Sequence, residues 1–291
     1  VEVLCREKLG QLLGIRETER IFFTSGATES MNTVLGGLDY GEKGSSILVT
    51  QTEHNSVLRP VYNLEQLREH PVLVVKCTIN GTVTEEALET AVDADKWEAD
   101  ALIFTGHKSL MGIQGTGGFY VRSGIELKPL KYGGTGRNSA QLTYENKDYE
   151  YEVGTQNMPG ITGLLAGAEF IEQTGLAAIM EKEARLMEML YCGLEQIEGV
   201  RIYGNHDVCR GPVMSLNFQG LKASDAAYIL ESGYGIIVRS GLHCSPLIHK
   251  AMGTEEGGTV RVSVSWFTEE KDIKEFLGAA KEIAASVARN I

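Results

Sequence analysis

The segment IFFTSGATESMN, residues 21–32, predicts a buried strand that turns at Ser25 into a helix beginning near Ala27. At such a junction the free N–H groups of the first helical turn and nearby hydroxyls, including that of Thr28, point toward one spot. A spot of this kind is suited to bind a phosphate. A helix start capped by Ser25 or Thr24, without any ligand, explains the segment equally well, so the rest of the chain has to decide.

Short apolar runs and helical patterns alternate through the first half of the chain. The further strand candidates are SSILVTQ (45–51), VLVVKC (72–77), the start of ALIFTGHKSL (101–110) and GGFYVR (117–122), and a helix near 57–69 separates the first two of them. This alternation predicts an α/β fold with a mainly parallel sheet.

The second half of the chain predicts a smaller α+β region. It starts with a mostly helical stretch from about 160 to 199, and its later elements are the strands PVMSLNF (212–218), GIIVR (235–239) and TVRVSVSW (259–266), a helix capped by Ser224 and a final helix from about Thr268. The length of 291 residues favours two domains. We expect a large domain over residues 1–165, and a linking helix with a small domain over residues 166–291.

Composition narrows the class of protein. Apolar residues make up 43% and charged residues 23% of the chain, which is typical of a globular protein. The net charge of −12 argues against a nucleic-acid surface, because phosphate backbones require clustered Lys and Arg. No apolar stretch approaches a membrane span, and the first residues lack the layout of a signal peptide. We therefore expect a cytoplasmic protein that binds neither nucleic acid nor membrane.

The chain has five cysteines, and they form neither a CxxC pair nor an even disulfide framework. Reduced thiols are the expected state, and no metal site is predicted. Cys5, Cys77 and Cys192 lie among apolar neighbours, where a small buried thiol is common, and Cys209 lies in a polar segment. Only Cys244 has unusual neighbours.

The motif FTGHKSL places Lys108 just after a strand and Gly106. A carbonyl cofactor requires a lysine amine, and the adjacent groups of Thr105 and His107 are suited to hold a phosphate that anchors such a cofactor. A solvated loop lysine is the other interpretation of this motif taken alone.

The motif RSGLHCSPL brings Arg239, His243 and Cys244 close together at the end of a predicted strand. Neighbouring positive groups favour the thiolate form of a cysteine and so increase its nucleophilic fraction. Arg261 lies within another predicted strand, where a guanidinium group is expensive to bury unless it meets an anion. A substrate carboxylate and a structural ion pair are both candidates for that anion.

Taken in order, GATESMN, EHNSVLRP, FTGHKSL, GTQN, RSGLHCSPLIHKAMGT and GGTVRVSVSWF resemble the cysteine desulfurase branch of the class V aminotransferase superfamily. The resemblance extends from near residue 1 to the final helix, and residues 236–268 are its most specific part. It implies the fold type I architecture of pyridoxal 5'-phosphate (PLP) enzymes, with a mainly parallel large domain and a smaller α+β C-terminal domain. It also implies a homodimer.

The resemblance assigns roles to individual residues. Lys108 resembles the lysine that binds PLP and Cys244 the catalytic nucleophile. The residues that resemble its phosphate cup are Ala27, Thr28, Thr105 and His107. His54 resembles the ring that stacks on the pyridine, and Thr155 the residue that reaches the phosphate of the neighbouring subunit's cofactor. The residues that resemble the substrate-binding set are Arg261, Arg239 and Asn55.

The implied reaction converts L-cysteine to L-alanine. Lys108 moves the Cα proton, and the Cys244 thiolate attacks the substrate sulfur and retains it as a persulfide. The sulfur then passes to an acceptor protein for iron–sulfur cluster or other sulfur-cofactor assembly. Two alternatives stay open: another class V enzyme, such as a selenocysteine lyase or an aminotransferase, and a catalytically inactive scaffold in sulfur transfer.

One part of the family pattern is absent from the sequence. The resemblance implies further strands before the lysine motif, with an Asp for the pyridinium nitrogen, whereas the chain passes from Asp95 to WEADALIFTGHK within a few residues. Asp93, Asp95 and Asp100 do not match the motif of that Asp. We therefore expect the full polypeptide to contain residues, near 95–97 and at the N-terminus, that this sequence lacks.

Overall fold

The computed structural model describes residues 1–41, 46–78, 81–84, 99–134, 142, 151–204 and 211–289. The helices are α1 (Glu2–Leu13), α2 (Ala27–Gly37), α3 (Asn55–Arg68), α4 (Met158–Thr174), α5 (Leu176–Glu195), α6 (Ala223–Tyr234), α7 (Pro246–Met252) and α8 (Glu270–Arg289). The strands are β1 (Ile21–Thr24), β2 (Ile47–Thr50), β3 (Val72–Val75), β4 (Ala101–Thr105), β5 (Gly117–Val121), β6 (Val200–Tyr203), β7 (Val213–Phe218), β8 (Arg239–Gly241) and β9 (Thr259–Ser263).

The chain forms two compact units. The first comprises Val1–Ile47, Ser56–Leu73 and Ala94–Gly175, and the second comprises Leu48–Asn55, Val74–Asp93 and Leu176–Ile291. The units therefore divide the chain at Gly175, and two short segments of the first half belong to the second unit. The ranges 1–165 and 166–291 remain a prediction about domains.

A three-stranded sheet with the order β1-β5-β4 lies at the centre of the first unit. The strand β5 is antiparallel to both neighbours, so β1 and β4 run in the same direction. Helices α1 and α4 pack against one face, where Leu9, Phe23 and Leu164 form a buried cluster. Helix α2 packs on the other face, where Phe22 and Phe119 are buried. The predicted α/β fold is confirmed, although both pairings within this sheet are antiparallel rather than parallel.

Strands β2 and β3 form a separate two-stranded sheet. The Ile47 N–H donates to the Pro71 carbonyl (2.8 Å), and the Gln51 N–H donates to the Val75 carbonyl (2.9 Å). The offset between donor and acceptor is the same at both ends, so the two strands are parallel. Helix α3 is the crossover that joins them, as βαβ geometry requires.

The second unit contains a four-stranded antiparallel sheet with the order β6-β7-β9-β8. Alternate residues of β7 and β9, such as Leu216 and Val260, are buried against helices α5, α6 and α8. The intervening positions, including Ser215 and Arg261, belong to the opposite face of the sheet. One face of this sheet is therefore buried and apolar, and the polar residues of β7 and β9 lie on its opposite face.

Two local predictions were wrong. Helix α6 begins at Ala223 after Lys222 without a side-chain cap, so Ser224 lies inside the first turn rather than at the cap position. Its hydroxyl donates to the Asp225 carboxylate (3.2 Å). The predicted strand 235–239 corresponds only at its last residue to β8, which begins at Arg239. Within the described part of the chain, no helix combines the length and apolar character needed to cross a membrane.

Candidate active site

Strands β1 and β4 end level with each other in the first unit. Thr24, the last residue of β1, and Thr105, the last residue of β4, are both paired with Gly117 of β5. Neighbouring strands are about 4.8 Å apart, so the two strand ends are separated by about 10 Å. The turn that leads to Ala27 and the turn that contains Lys108 therefore leave the same edge of the sheet.

Glycines allow the backbones at this edge to approach closely. A Cβ atom on Gly117 would lie 2.7 Å from the Cα of Gly26 and 2.8 Å from the carbonyl oxygen of Phe104. A Cβ atom on Gly106 would overlap the Thr116 hydroxyl. Any larger residue at these positions would push the two turns apart, so the glycines keep the turn before α2 and the turn after β4 close together.

The first turn of α2 faces this edge without a capping side chain. Its N-cap residue is Gly26, at φ 152°, and neither Ser25 nor Thr24 caps the helix. Instead the Ser25 hydroxyl (2.5 Å) and N–H (2.9 Å) both donate to the Glu29 carboxylate. The first-turn amides of Ala27 and Thr28 thus remain suited to a phosphate, as the helix dipole also favours.

Glu29 joins this turn to the segment after β5. Its carboxylate forms an ion pair with Lys131 as well as the two bonds from Ser25. Burial acts to raise the pKa of Glu29, but the bonds from Lys131 and Ser25 outweigh it and hold the pKa below its ordinary value. The carboxylate is therefore ionised at neutral pH and fixes the position of Ser25.

Lys108 lies in the turn that follows β4, and its side chain is exposed. Its carbonyl accepts from the Met111 N–H (2.9 Å), and the Gly112 N–H donates to the Gly106 carbonyl (2.8 Å), so the turn is closed by backbone bonds. The exposed His107 ring contacts the Thr105 hydroxyl through Nδ1 (3.2 Å). The predicted lysine, imidazole and hydroxyl are thus in one turn.

Thr155 is exposed and lines a cavity of about 220 Å³ in the first unit, together with Ser25, Glu29 and Lys131. The segment that carries it is fixed by Glu152, a residue that sequence reasoning missed. Both carboxylate oxygens of Glu152 accept from the Arg6 guanidinium (2.9 and 2.7 Å), and the Phe23 N–H also donates to it (2.5 Å). Burial raises the pKa of Glu152, and the charge of Arg6 opposes this.

Asn157, the last residue of the GTQN motif, was also missed as a structural residue. It is the N-cap of α4, and its side chain accepts from the Gly160 N–H (3.1 Å). The same side chain donates to the Gly115 carbonyl (3.2 Å) in the turn before β5. An Asn two residues before Pro159 is a recognisable helix-start signal, so this role could have been inferred.

The second unit contains the predicted nucleophile. Cys244 is an exposed thiol in a turn in which the Ser245 N–H donates to the Leu242 carbonyl (3.0 Å). The two central residues, His243 and Cys244, have positive φ angles of 49° and 64°. The Asn55 N–H at the start of α3 donates to the Cys244 carbonyl (2.7 Å). The predicted residues His54 and Asn55 are therefore adjacent to Cys244 in space; His54 is exposed.

His243 contacts β9 beside the two predicted arginines. Its Nε2 donates to the Thr259 carbonyl (3.0 Å), while Nδ1 is buried and has no partner among the described residues. Burial lowers the pKa of His243. The bond to Thr259 opposes this, and the nearby charges of Arg261, His249 and Arg239 lower the pKa further. The ring is therefore neutral at pH 7.

Arg261 and Arg239 lie on paired strands and have no ion-pair partner in the described ranges. The Arg261 Nε atom is buried and makes no hydrogen bond to any described group. An unpaired buried donor of this kind is costly unless an anion completes it. The arrangement fits a carboxylate, because guanidinium groups bind carboxylates with matched geometry.

The remaining cysteines differ from the nucleophile candidate. Cys5 is fully buried, and burial raises its pKa to about 11. Cys77 is half-buried and donates to the Gln51 side chain (3.3 Å). The prediction that Cys192 is buried was wrong, because it is exposed on α5 and donates to Glu188 (3.3 Å). Cys209 lies outside the described residues.

The partner for a pyridinium nitrogen is not supplied by Asp100. Its carboxylate is paired with Arg122 (2.6 Å), and it precedes β4 whereas Lys108 follows that strand. At about 3.3 Å per residue, the length of β4 separates the two by more than about 15 Å. Asp93 and Asp95 lie outside the described residues. The groups at the edge of the first sheet fit two parts of PLP: its aldehyde, which a lysine amine binds, and its phosphate.

A family model described as aminotransferase class-V matches residues 4–95 and 87–276. A probable cysteine desulfurase of Methanothermobacter thermautotrophicus is 29% identical, over 96% of this chain and 82% of the relative. A probable cysteine desulfurase of Pyrococcus abyssi is 28% identical, over 93% of this chain and 80% of the relative.

A solved structure gives the same result for the fold. The apo structure of cysteine desulfurase from Thermococcus onnurineus matches with a TM-score of 0.85 and 27% identity, over 98% of this chain and 84% of that chain. The alignment with the Methanothermobacter protein extends over 334 positions, more than the 291 residues of this chain. That relative therefore has residues without a counterpart here.

Proposed function

The chain belongs to the class-V aminotransferase family, and on that premise we propose that it is a PLP-dependent cysteine desulfurase that converts L-cysteine to L-alanine. The observation that carries the proposal is the exposed Cys244 thiol in a turn fixed to β9, the strand that also carries Arg261. A plain aminotransferase has no use for a nucleophilic thiol at this position. The matched cysteine desulfurases support the same assignment.

The edge of the first sheet supplies the cofactor-binding part of the proposal. Lys108 supplies the amine for a carbonyl cofactor, and the amides of Ala27 and Thr28 with the side chains of Thr105 and His107 hold its phosphate. When bound, PLP supplies an electron sink that acidifies the substrate Cα–H bond. The exposed Lys108 amine, once free, takes and returns the Cα proton.

The second unit supplies the groups for the substrate. Arg261 and Arg239 bind the carboxylate of L-cysteine, and Asn55 and His54 adjoin the turn of the nucleophile. The Cys244 thiolate forms a bond to the substrate sulfur while the substrate Cβ–S bond breaks. The electron pair of that bond leaves with Cβ, which takes up a proton and becomes the methyl group of alanine. The transferred sulfur remains as a persulfide on Cys244.

Two further parts of the proposal concern partners. A homodimer would allow the exposed Thr155 to reach the cofactor phosphate of the second subunit. A sulfur-acceptor protein would take the persulfide sulfur from Cys244, whose exposure makes such a transfer sterically open. The sulfur would serve iron–sulfur cluster or other sulfur-cofactor assembly.

The proposal is tested by the visible spectrum of the purified protein with PLP, recorded before and after L-cysteine, alongside an assay of alanine and persulfide. We expect an absorption band of lysine-bound PLP that changes when L-cysteine is added, and stoichiometric sulfur on Cys244 in the peptide mass spectrum. Lys108→Ala should abolish the band. A protein that binds no PLP, or whose band is unaffected by Lys108→Ala, would leave the inactive scaffold as the better assignment.

A further inference from the structure

The turn that carries Cys244 has an uncommon backbone. His243 and Cys244 are consecutive, both have a Cβ atom, and both lie in the left-handed region at φ 49° and 64°. Residues with a Cβ atom rarely adopt this conformation, because the Cβ approaches the following carbonyl oxygen, and Asn, Asp and His do so more often than the others. Two such residues in succession require support from outside the turn.

Three hydrogen bonds hold this turn. The Ser245 N–H donates to Leu242 (3.0 Å) within the turn, and the Asn55 N–H donates to the Cys244 carbonyl (2.7 Å). The third bond joins His243 Nε2 to the Thr259 carbonyl (3.0 Å). Of these three, only the bond from His243 depends on a side chain and comes from within the turn. The His249 ring also contacts the backbone of Leu242 at the start of the turn.

The ring of His243 is held in one tautomer. A carbonyl oxygen can only accept, so the proton lies on Nε2, and the buried Nδ1 has no donor among the described residues. The His249 ring lies 5.9 Å from it, and Arg261 and Arg239 are the charged groups that act on it from β9 and β8. A proton on Nδ1 would add a cation beside two guanidinium groups without an acceptor, so the neutral form is favoured.

We propose that His243 is the positioning residue for the nucleophile: its Nε2–H bond to the Thr259 carbonyl holds the left-handed turn that presents the Cys244 thiol. The expected effect on kcat rests on the proposed desulfurase function. The expected effect on the structure of the turn is independent of that function. The pairing of β8 with β9 ends at Gly241 and Thr259, so loss of the bond frees the turn beyond that pair, and the backbone bonds at Ser245 and Asn55 open with it.

The test compares two amides, His243→Gln and His243→Asn. The amide nitrogen of Gln reaches about as far as the imidazole Nε2 and keeps the donor for Thr259. Asn is shorter and cannot reach, but it adopts a left-handed φ more readily than Gln or His. The two variants therefore distinguish the effect of the hydrogen bond, which only Gln keeps, from the effect of the backbone preference, which favours Asn. Neither side chain is larger than that of His.

Hydrogen exchange is measured on the peptides that contain Asn55 and Ser245. We expect exchange of these two amides to be at least tenfold faster in His243→Asn than in the wild type and within threefold of it in His243→Gln. In the alanine assay with L-cysteine, His243→Asn should lower kcat at least tenfold with KM unchanged, and His243→Gln should restore most of it.

The inference is overturned if His243→Asn exchanges the Asn55 and Ser245 amides as slowly as His243→Gln does and has the same kcat. If the wild type forms no alanine at all, the desulfurase proposal fails by itself. The exchange comparison then still decides whether His243 holds the turn, because it needs no catalysis.

Discussion

Arg239 lies directly opposite Arg261 in the antiparallel ladder of β8 and β9. Directly opposed side chains share one face of a sheet with their Cβ atoms about 5 Å apart, and like charges at such positions are destabilising. Neither arginine has an ion-pair partner in the described part of the chain, and the Arg261 Nε is buried without an acceptor. The pair is thus arranged for an anion that the described part of the chain does not provide.

Replacing Arg261 by Gln should weaken substrate binding without weakening the fold. A hydrogen bond to a charged group contributes about 1.5–3 kcal/mol, so KM for L-cysteine should rise about 10–100-fold in steady-state kinetics. The melting temperature should stay level or rise, because a like-charge contact is removed. Arg201→Gln is the control: Arg201 lies on β6 of the same sheet and stacks on Tyr203, 4.9 Å from the ring. An unchanged KM in Arg261→Gln would contradict the carboxylate role.

Replacing Cys244 by Ala distinguishes the candidate activities. A desulfurase loses alanine formation to background, because no other group accepts the sulfur, whereas an aminotransferase or selenocysteine lyase that does not use the thiol continues to turn over. The measurement is alanine, pyruvate and selenide production by the same preparation. Cys192→Ala provides a matched control, since that thiol is also exposed but is bonded to Glu188. Full alanine production by Cys244→Ala would refute the proposed mechanism.

The sequence predicted local features better than long-range ones. Lys108 and Cys244 could be selected as site candidates because each follows a strand inside a short motif, and α2 begins at Ala27 as predicted. The bonds of Glu152 to Arg6 and Phe23 join residues 146 and 129 positions apart, and no local pattern contains that information.

The position of β8 is another long-range feature that the local sequence did not predict. The apolar run at 235–239 predicted a strand there, but pairing with β9 begins at Arg239. The ladder, and with it the opposition of Arg239 and Arg261, depends on how residues 242–258 fold between the strands. Ser224 failed as a cap for a different reason, since the helix begins one residue earlier, at Ala223, and so includes Ser224 in its first turn.

Cys5 should make the fold sensitive to alkaline pH. Its folded pKa is raised from 9.0 to about 11 by burial, so the folded state keeps a proton that the unfolded state releases. Stability from this group is therefore full below pH 9 and is lost as pH rises toward 11, by about 2–3 kcal/mol in total. Urea titrations at pH 8 and 10.5 should show a smaller loss in Cys5→Ala than in the wild type. Equal losses would exclude the thiol as the cause.

Two glycines on α4 should respond differently to Ala, because they face different parts of the lysine turn. A Cβ on Gly167 would overlap the Leu110 carbonyl and lie 2.8 Å from the backbone of Met111, whose φ is already 56°. A Cβ on Gly163 would meet only the Ile113 side chain, 3.1 Å away, which can rotate. Both substitutions gain about 1 kcal/mol of helix propensity. Gly163→Ala should therefore keep its PLP affinity and keep or raise its melting temperature, whereas Gly167→Ala should displace the turn of Lys108 and weaken PLP binding at least tenfold in a spectroscopic titration. Equal affinities would show that α4 does not hold the lysine turn in place.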